Sequence, residues 1–276
     1  MLIRVSLILL SLSSMLSLGL KIDRKEIGSW RSSGPLLGFA FLWNFGVLPI
    51  VAIFLGKLLQ LSDLATVAIF LCASSPGGAS GGLFVLRGKG NPVLGGLLIA
   101  TLNGANTVLT PFIFSVYQGG SGFETDLFLR LLAIGFFLQG LPLLIGLVVR
   151  YFFPHPARIS EVRVEKFSTY CLVFSILVLV AQYGDKALSL GPIVWLAAAL
   201  TVGTSLLPGW LIWKGKQDTK ASLSLVSGIR SLSLALLLAE LHVKNPEALL
   251  TILMYGVLMY GLTALAAQYW KGRVRY

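Results

Sequence analysis

The sequence has little charge, and acidic residues are the scarcest part of it. Only 12% of its 276 residues are charged, and 11 acids stand against 22 bases, which gives a formal net charge of +11. A soluble domain carries about twice that share of charged residues. Hydrophobic residues make up 56% of the chain, and the mean hydropathy is +0.85. This composition excludes an ordinary soluble protein and indicates an integral membrane protein.

Cysteine and the motifs of common enzymes are also scarce. The two cysteines, Cys72 and Cys171, lie far apart in apolar runs, which argues against a disulfide framework. The chain has no His-Glu-x-x-His, no Gly-x-Ser-x-Gly and no phosphate-binding Gly-Lys-Ser/Thr loop. No acid lies inside an apolar run, where proton coupling usually needs one. We therefore expect no enzyme, no cofactor and no metal site.

Apolar runs of about 20 residues, the length of a membrane-spanning helix, alternate with short charged segments. We predict an all-α integral membrane protein with about nine spans, at residues 1–20, 34–59, 63–86, 92–118, 125–153, 166–184, 187–214, 219–242 and 246–270. A signal peptide is the alternative for the first run. It is disfavoured because no small-residue cleavage site follows the run.

Basic residues concentrate in the loops on one side of the predicted membrane. That side holds sixteen of them: Lys21, Arg24, Lys25, Arg31, Arg87, Lys89, Arg150, Arg158, Arg163, Lys166, Lys214, Lys216, Lys220, Lys271, Arg273 and Arg275. The opposite side holds four: Arg4, Lys57, Lys186 and Lys244. By the positive-inside rule the richer side is cytoplasmic. We predict a multi-pass protein of the cell (inner) membrane with an outside N-terminus and a cytoplasmic C-terminus, so the basic excess requires no nucleic acid.

Two spans contain helix-breaking residues. The third span is interrupted by Ser75-Pro76-Gly77-Gly78 and the eighth by Ser227-Gly228, because proline removes a helix hydrogen bond and glycine loosens the backbone. The breaks are five spans apart, and an odd number of spans makes the second copy an inverted repeat of the first. Discontinuous helices at corresponding positions of inverted repeats mark the binding site of many secondary transporters. We predict that the two breaks cross at the membrane centre.

Three segments resemble motifs of the bile acid:sodium symporter family: Ser75-Pro76-Gly77-Gly78, Gly88-Lys89-Gly90-Asn91-Pro92 and Leu109-Thr110-Pro111. Weaker matches occur at 44–49 and 228–235, and the resemblance extends from Leu18 to Trp270. It implies a ten-helix inverted-repeat fold, here short of its first helix, with a core and a panel. The expected division is a panel helix at 1–20, a first core repeat at 34–118, panel helices at 125–184 and a second core repeat at 187–270.

The sequence departs from this family at the positions of its sodium ligands. The aligned residues are Asn44, Gly81, Gly82, Gly95, Ile99, Val226 and Arg230, in place of the oxygen-bearing side chains of sodium-coupled members. Hard cations are held by oxygen, so the resemblance does not extend to sodium coupling. We hypothesise that the fixed charge of Arg230 stands where sodium binds in those members.

Arg230 is the principal candidate for the substrate site. A charge midway along a span costs about 3 kcal/mol, so it should face protein or water. Its planar guanidinium suits a carboxylate, and we expect it to bind an anionic substrate. A structural arginine that holds backbone carbonyls freed by the break is the alternative.

Other polar groups near the breaks complete the candidate set. They are Asn44, Ser75, Gly77, Gly78, Ser80, Asn103, Asn106, Thr107, Ser227 and Ser231. The backbone N–H groups of Gly78 to Ser80 are expected to point into a cavity. Asn103, Asn106 and Thr107 share one helix face, a pattern that also serves helix packing, and a serine hydroxyl also binds its own helix backbone.

These features favour a secondary transporter, a facilitator or an exchanger, of a small organic anion. It would work by alternating access without sodium coupling. Two alternatives remain open: a sodium-coupled symporter of a bile-acid-like anion, and a non-transporting membrane sensor or scaffold with the carrier fold. The expected partners are the anion and the lipid bilayer, and the sequence leaves the oligomeric state open, a homodimer included.

Overall fold

A computed structural model describes residues 2–22, 33–118, 125–187, 190–211 and 215–274, and these residues are almost entirely helical. The helices are α1 (Leu2–Lys21), α2 (Gly34–Leu58), α3 (Asp63–Ala73), α4 (Gly81–Arg87), α5 (Pro92–Gln118), α6 (Thr125–Phe152), α7 (Pro154–Ala187), α8 (Pro192–Leu206), α9 (Pro208–Leu211), α10 (Gln217–Gly228), α11 (Leu232–Val243) and α12 (Pro246–Arg273). The predicted all-α fold class is confirmed.

The outer surface of the helices is apolar. Phe54, Phe137, Tyr170 and Val257 are each at least 59% exposed, and they are four of many large apolar side chains that face outward. Such an extensive exposed apolar surface marks contact with another apolar phase. The helices α1, α2, α5, α6 and α12 are each long and apolar enough to cross a membrane. The molecule therefore has the surface of a protein embedded in lipid.

The segment 154–165 corrects one detail of the predicted spans. The sequence interpretation leaves it between two spans as a basic loop, but α7 begins at Pro154, directly after Phe153. Proline is favourable at a first helical position, because its fixed φ suits the helix and its missing N–H would have no partner there. Arg158 and Arg163 consequently lie on the first turns of α7 instead of in a loop.

Three helices contain a π-helical turn: α11 at Ala239–Val243, and the long helices α2 and α6. The turn of α2 spans Leu42–Val47 and that of α6 spans Phe136–Gly140. Each is followed within two residues by a proline, Pro49 or Pro142. A π turn absorbs an irregularity in the helical hydrogen-bond ladder. In α2 this turn carries the buried Asn44 toward the centre of the molecule.

The packing of the helices brings the two halves of the chain together. The helix α1 packs most extensively against α7 and α6, whereas α12 packs against α8, α3, α7 and α10. At one end of the broken helix α3–α4, the Asn91 N–H donates to the Asp218 carbonyl at 3.2 Å. At its other end, the Ser62 hydroxyl donates to a Glu247 carboxylate oxygen at 2.6 Å. The first half therefore contacts the second half at both ends of α3–α4.

Candidate functional site

The two helix breaks meet in the interior of the protein. The first break separates α3 from α4, and the second, at 229–231, separates α10 from α11. The second break therefore begins one residue after Ser227-Gly228, where the sequence interpretation placed it, because these two residues still form the last turn of α10. Pro76 and Arg230 form an antiparallel bridge. Next to it, the Ser231 N–H donates to the Ser75 carbonyl at 2.7 Å, and the N–H groups of Gly77 and Gly78 both donate to the Ile229 carbonyl, at 3.2 and 3.3 Å. Backbone groups that each break removes from helical bonding are thus paired with the other break.

Two glycines make this crossing sterically possible. Gly77 has a φ of +86°, in the region that residues with a Cβ rarely adopt. At Gly78, a Cβ would collide with the Arg230 carbonyl oxygen and lie 2.7 Å from Ile229 Cγ2. The Pro76-Gly77-Gly78 sequence therefore serves a second purpose besides ending α3, since it allows the two backbones to touch.

The Arg230 side chain is directed into the protein and is 2% exposed. Its Nη2 donates to the Ser227 carbonyl at 2.6 Å, and its Nη1 donates to the Ala73 carbonyl at 3.4 Å. These carbonyls belong to the last turns of α10 and α3, where a helix carries a partial negative charge. The guanidinium therefore links the C-terminal ends of two broken helices, which is the arrangement expected of a structural arginine.

Polar side chains on neighbouring helices support the second break. The Asn44 Nδ2 donates to the Ser227 hydroxyl at 3.0 Å and to the Ala40 carbonyl at 2.8 Å. Ser227 is thereby held on both sides, since its carbonyl also accepts from Arg230. Asn44 and Ser227 are completely buried, and both stabilise the end of α10.

The polar face of α5 supports the first break. The Thr110 hydroxyl lies within hydrogen-bonding distance of both the Ser74 carbonyl and the Asn106 side-chain oxygen, between which its single hydrogen is shared. The Asn103 amide packs against Gly77, where a Cβ would lie 2.8 Å from Nδ2. Thr107 donates to the Asn103 carbonyl at 3.4 Å. Asn103 and Asn106 of the predicted polar stripe therefore lie next to the first break, whereas the Thr107 side chain packs against Gly140 of α6.

A cavity of about 180 Å³ lies between α1 and α7 on one side and the two breaks on the other. Four of the predicted site residues line it: Gly78, Ser80, Arg230 and Ser231. The other seven do not line it and are buried, in the first break or in the helices around it: Asn44, Ser75, Gly77, Asn103, Asn106, Thr107 and Ser227. The Gly78 N–H donates to Ile229, so this group is not offered to a ligand as the sequence interpretation expected.

Hydroxyl groups make up most of the remaining polar lining of this cavity. They belong to Ser14, Ser17, Ser80, Ser168, Thr169, Ser231, Ser233 and Tyr260. Ser80 and Tyr260 share a hydrogen bond of 3.1 Å across the cavity wall. Sequence reasoning missed Tyr260 and the serines of α1 and α7, because isolated hydroxyl residues in apolar helices carry no distinguishing pattern.

Sequence reasoning also missed an ion pair in the cavity. Lys21 Nζ and Glu165 Oε1 are 2.5 Å apart, and both residues line the cavity. They also line a second cavity of about 380 Å³ beside α4 and α5. The only signal in the sequence is the opposite charge of two residues near the ends of predicted spans, and their contact depends on the packing of α1 against α7.

Comparison with known proteins identifies the family of the chain. Residues 7–191 match the model of the sodium bile acid symporter family. The hepatic sodium/bile acid cotransporter of Rattus norvegicus is 30% identical over 157 residues, which cover 55% of this chain and 42% of that protein. Sodium/bile acid cotransporter 4 of Mus musculus is 30% identical over 186 residues, which cover 65% of this chain and 40% of that protein.

A plant relative aligns over more of the chain. The probable sodium/metabolite cotransporter BASS2, chloroplastic, of Oryza sativa subsp. japonica is 23% identical over 272 residues, 94% of this chain and 62% of that protein. The chain thus spans between 40% and 62% of the length of these three relatives. The relatives are named as transporters and not as enzymes. Because the family model covers more than half of the chain, the protein belongs to the sodium bile acid symporter family of membrane transporters.

Proposed function

We propose that the protein is a secondary transporter, a facilitator or an exchanger, that carries a small organic anion without sodium coupling. In this proposal a core of residues 34–118 and 187–270 moves against a panel of residues 1–20 and 125–184. The movement exposes the cavity between core and panel to each side of the membrane in turn. Family membership supports a transport function, and the extensive packing of α1 on α6 and α7 supports a panel that moves as a unit.

The observation that carries the proposal is the position of the Arg230 guanidinium. In transporters with broken helices, unwound carbonyls and half-helix C-terminal ends coordinate the coupling cation. Here Ala73 and Ser227 supply such carbonyls, and both accept from a cation that is covalently part of the chain. A sodium ion 4 Å from the guanidinium would be repelled by about 4 kcal/mol at an effective dielectric constant of 20. The Arg230 guanidinium therefore supplies the positive charge at the junction of the two breaks, and no sodium ion is needed there.

The cavity supports an anionic and compact substrate. Among the described residues that line it, Lys21 and Arg230 stand against one acid, Glu165, and the other polar groups are mainly hydroxyls. A cavity of about 180 Å³ is smaller than the roughly 300 to 1,000 Å³ of sites that hold drug-sized ligands. A carboxylate with a few polar substituents fits this space and lining.

A sodium-coupled symporter of an organic anion is the second candidate. The relatives described above are named as sodium cotransporters. In the described part of the chain, the buried oxygens without a hydrogen-bond partner include four around the breaks: Asn44 Oδ1, Ser75 Oγ, Asn103 Oδ1 and Thr263 Oγ1. Together with backbone carbonyls, they are the oxygens that such a symporter would offer to sodium.

Uptake into proteoliposomes distinguishes these candidates. Labelled glycolate, as a compact anion, and labelled taurocholate, as a bile acid, are offered in sodium chloride and in choline chloride at matched ionic strength. We expect glycolate uptake of equal rate and affinity in both salts. A tenfold tightening by sodium, about 1.4 kcal/mol of coupling, would overturn the proposal in favour of the symporter. Absence of uptake for both anions in both salts would instead favour a non-transporting sensor or scaffold.

A further inference from the structure

The ion pair between Lys21 and Glu165 joins the two helices that form one wall of the cavity. Lys21 lies in the last turn of α1, and Glu165 lies on α7. Their side chains remain 28% and 43% exposed although they contact each other at 2.5 Å. Four residues line both the first and the second cavity: Lys21, Ala79, Leu83 and Glu165. The pair therefore lies where the two cavities adjoin.

The two cations of the first cavity differ in their availability to a ligand. Arg230 is 2% exposed, and both of its terminal nitrogens donate to backbone carbonyls. The Lys21 ammonium is partly exposed and has three donors, of which one serves Glu165. The Arg230 Nε has no hydrogen-bond partner in the described part of the chain, but it is buried beside the crossing of the helices. Among the described residues that line this cavity, Lys21 is thus the more accessible cation, and it can bind an anion without a change in the crossing.

The partner of Lys21 is held weakly. Partly exposed ion pairs contribute little to stability, because solvent screens them and two side chains lose freedom to form them. A substrate carboxylate offers Lys21 the same chemistry as the Glu165 carboxylate does. After an exchange of partners, Glu165 remains sufficiently exposed to be solvated by water, so the exchange leaves no buried charge unpaired.

We propose that Lys21 is the anion-binding cation of the cavity and that Glu165 is its resting counter-ion, which the substrate carboxylate displaces. The inference rests on the proposed function, which it extends by naming the residue that recognises the anion. It differs from the sequence expectation, in which Arg230 has that role. If the pair instead only holds α1 against α7, removal of either Lys21 or Glu165 should change the affinity for the anion in the same direction.

Single substitutions separate these two roles by the sign of their effects. In choline salts, the affinity of the purified full-length protein for glycolate, with taurocholate as a second probe, is measured from the ligand-induced rise of the unfolding temperature. Lys21→Gln removes the cation and should weaken glycolate binding at least tenfold. Glu165→Gln removes the competing carboxylate and should tighten it about threefold to tenfold. Glu240→Gln is the control, since it breaks a pair with Arg4 of 3.7 Å outside this cavity and should leave binding unchanged.

The charge-swapped double variant Lys21→Glu, Glu165→Lys distinguishes a loss of binding from a loss of folding. It restores an ion pair, so it should recover stability while glycolate binding stays weakened. The assignment fails if both single variants change affinity in the same direction, if neither changes it, or if neither probe binds to wild type and to Glu165→Gln. The proposed function is judged separately: uptake that persists with unaltered affinity in Lys21→Gln would overturn the role of Lys21 alone.

Discussion

Arg230 holds two carbonyl groups that are remote from each other in the chain. Ala73 is 157 residues away from it, whereas Ser227 is only three residues away. The planar fork of a guanidinium allows one side chain to donate to both groups from fixed directions. A buried charge would be costly without such partners. In this structure the residue therefore stabilises the contact between two segments of backbone, whatever else it does.

Substitution of Arg230 should lower stability in a graded way. Arg230→Gln leaves buried carbonyls without their donor, at a cost of about 1 to 3 kcal/mol for each. Arg230→Lys keeps the charge but loses the fork, and should have an intermediate effect. Thermal unfolding is followed with a thiol-reactive dye, because Cys72 and Cys171 are buried until the protein unfolds. The exposed Arg158 provides the matched control, since Arg158→Gln should leave the transition unchanged.

Sodium provides a second measurement on the same variants. We expect no sodium-dependent stabilisation of Arg230→Gln, because the side chains at Gly81, Gly95 and Val226 still offer no oxygen. Unaltered unfolding of Arg230→Gln would mean that the carbonyls of Ala73 and Ser227 find other donors, and would remove the structural role assigned to the arginine.

At the scale of helices, local chemistry made the breaks predictable. Proline and two glycines interrupt a helix whatever surrounds them, so the end of α3 was expected from the sequence. The start of α7 was missed because a run of charged residues resembles a loop. In the structure these charges lie on helices, and Arg150 of α6 pairs with Glu161 of α7 at 3.9 Å across the connection at Phe153. Lys21 and Glu165 were missed for a different reason: their contact arises from helix packing between distant segments, which no local pattern encodes.

The closeness of the crossing can be tested at Gly78. In Gly78→Ala, the new Cβ would collide with the Arg230 carbonyl oxygen, and the two breaks would have to separate. Overpacking of this kind typically costs about 1 to 3 kcal/mol. We expect a clearly lower unfolding temperature in the same dye assay. Gly104→Ala is the control, since a Cβ there meets no atom within 4 Å, and a loss of equal size in both variants would contradict the steric explanation.

For the whole molecule, the contacts at the two ends of the broken helix α3–α4 agree with two opposed membrane faces. Asn91 and Asp218 lie together at one end, and Ser62 and Glu247 lie together at the other. Basic residues are concentrated in segments next to the first pair, including Lys89 and the start of α10. The distribution of charge predicts that the end with Asn91 and Asp218 faces the cytoplasm.

Reporter fusions test that orientation. Fusions after Arg31, Phe153 and Arg275 should report the cytoplasm, because the positive-inside rule retains basic segments there. Arg31 and Arg275 lie outside the described residues, and Phe153 is chosen because it is the residue between α6 and α7. A fusion after Gln60 should report the opposite side. An extracytoplasmic signal at Phe153 would contradict the predicted span count and, with it, the inverted repeat.

The mutual pairing of the two breaks also has a consequence for the order of biogenesis. A nascent chain that has inserted only its first half exposes the Ser75 carbonyl and the N–H groups of Gly77 and Gly78 before Ile229 and Ser231 have been synthesised. Unpaired backbone groups are costly in lipid. We therefore expect the first broken helix to reach its final position only after the second half of the chain has been inserted, and a chain that stops early to retain these unpaired backbone groups.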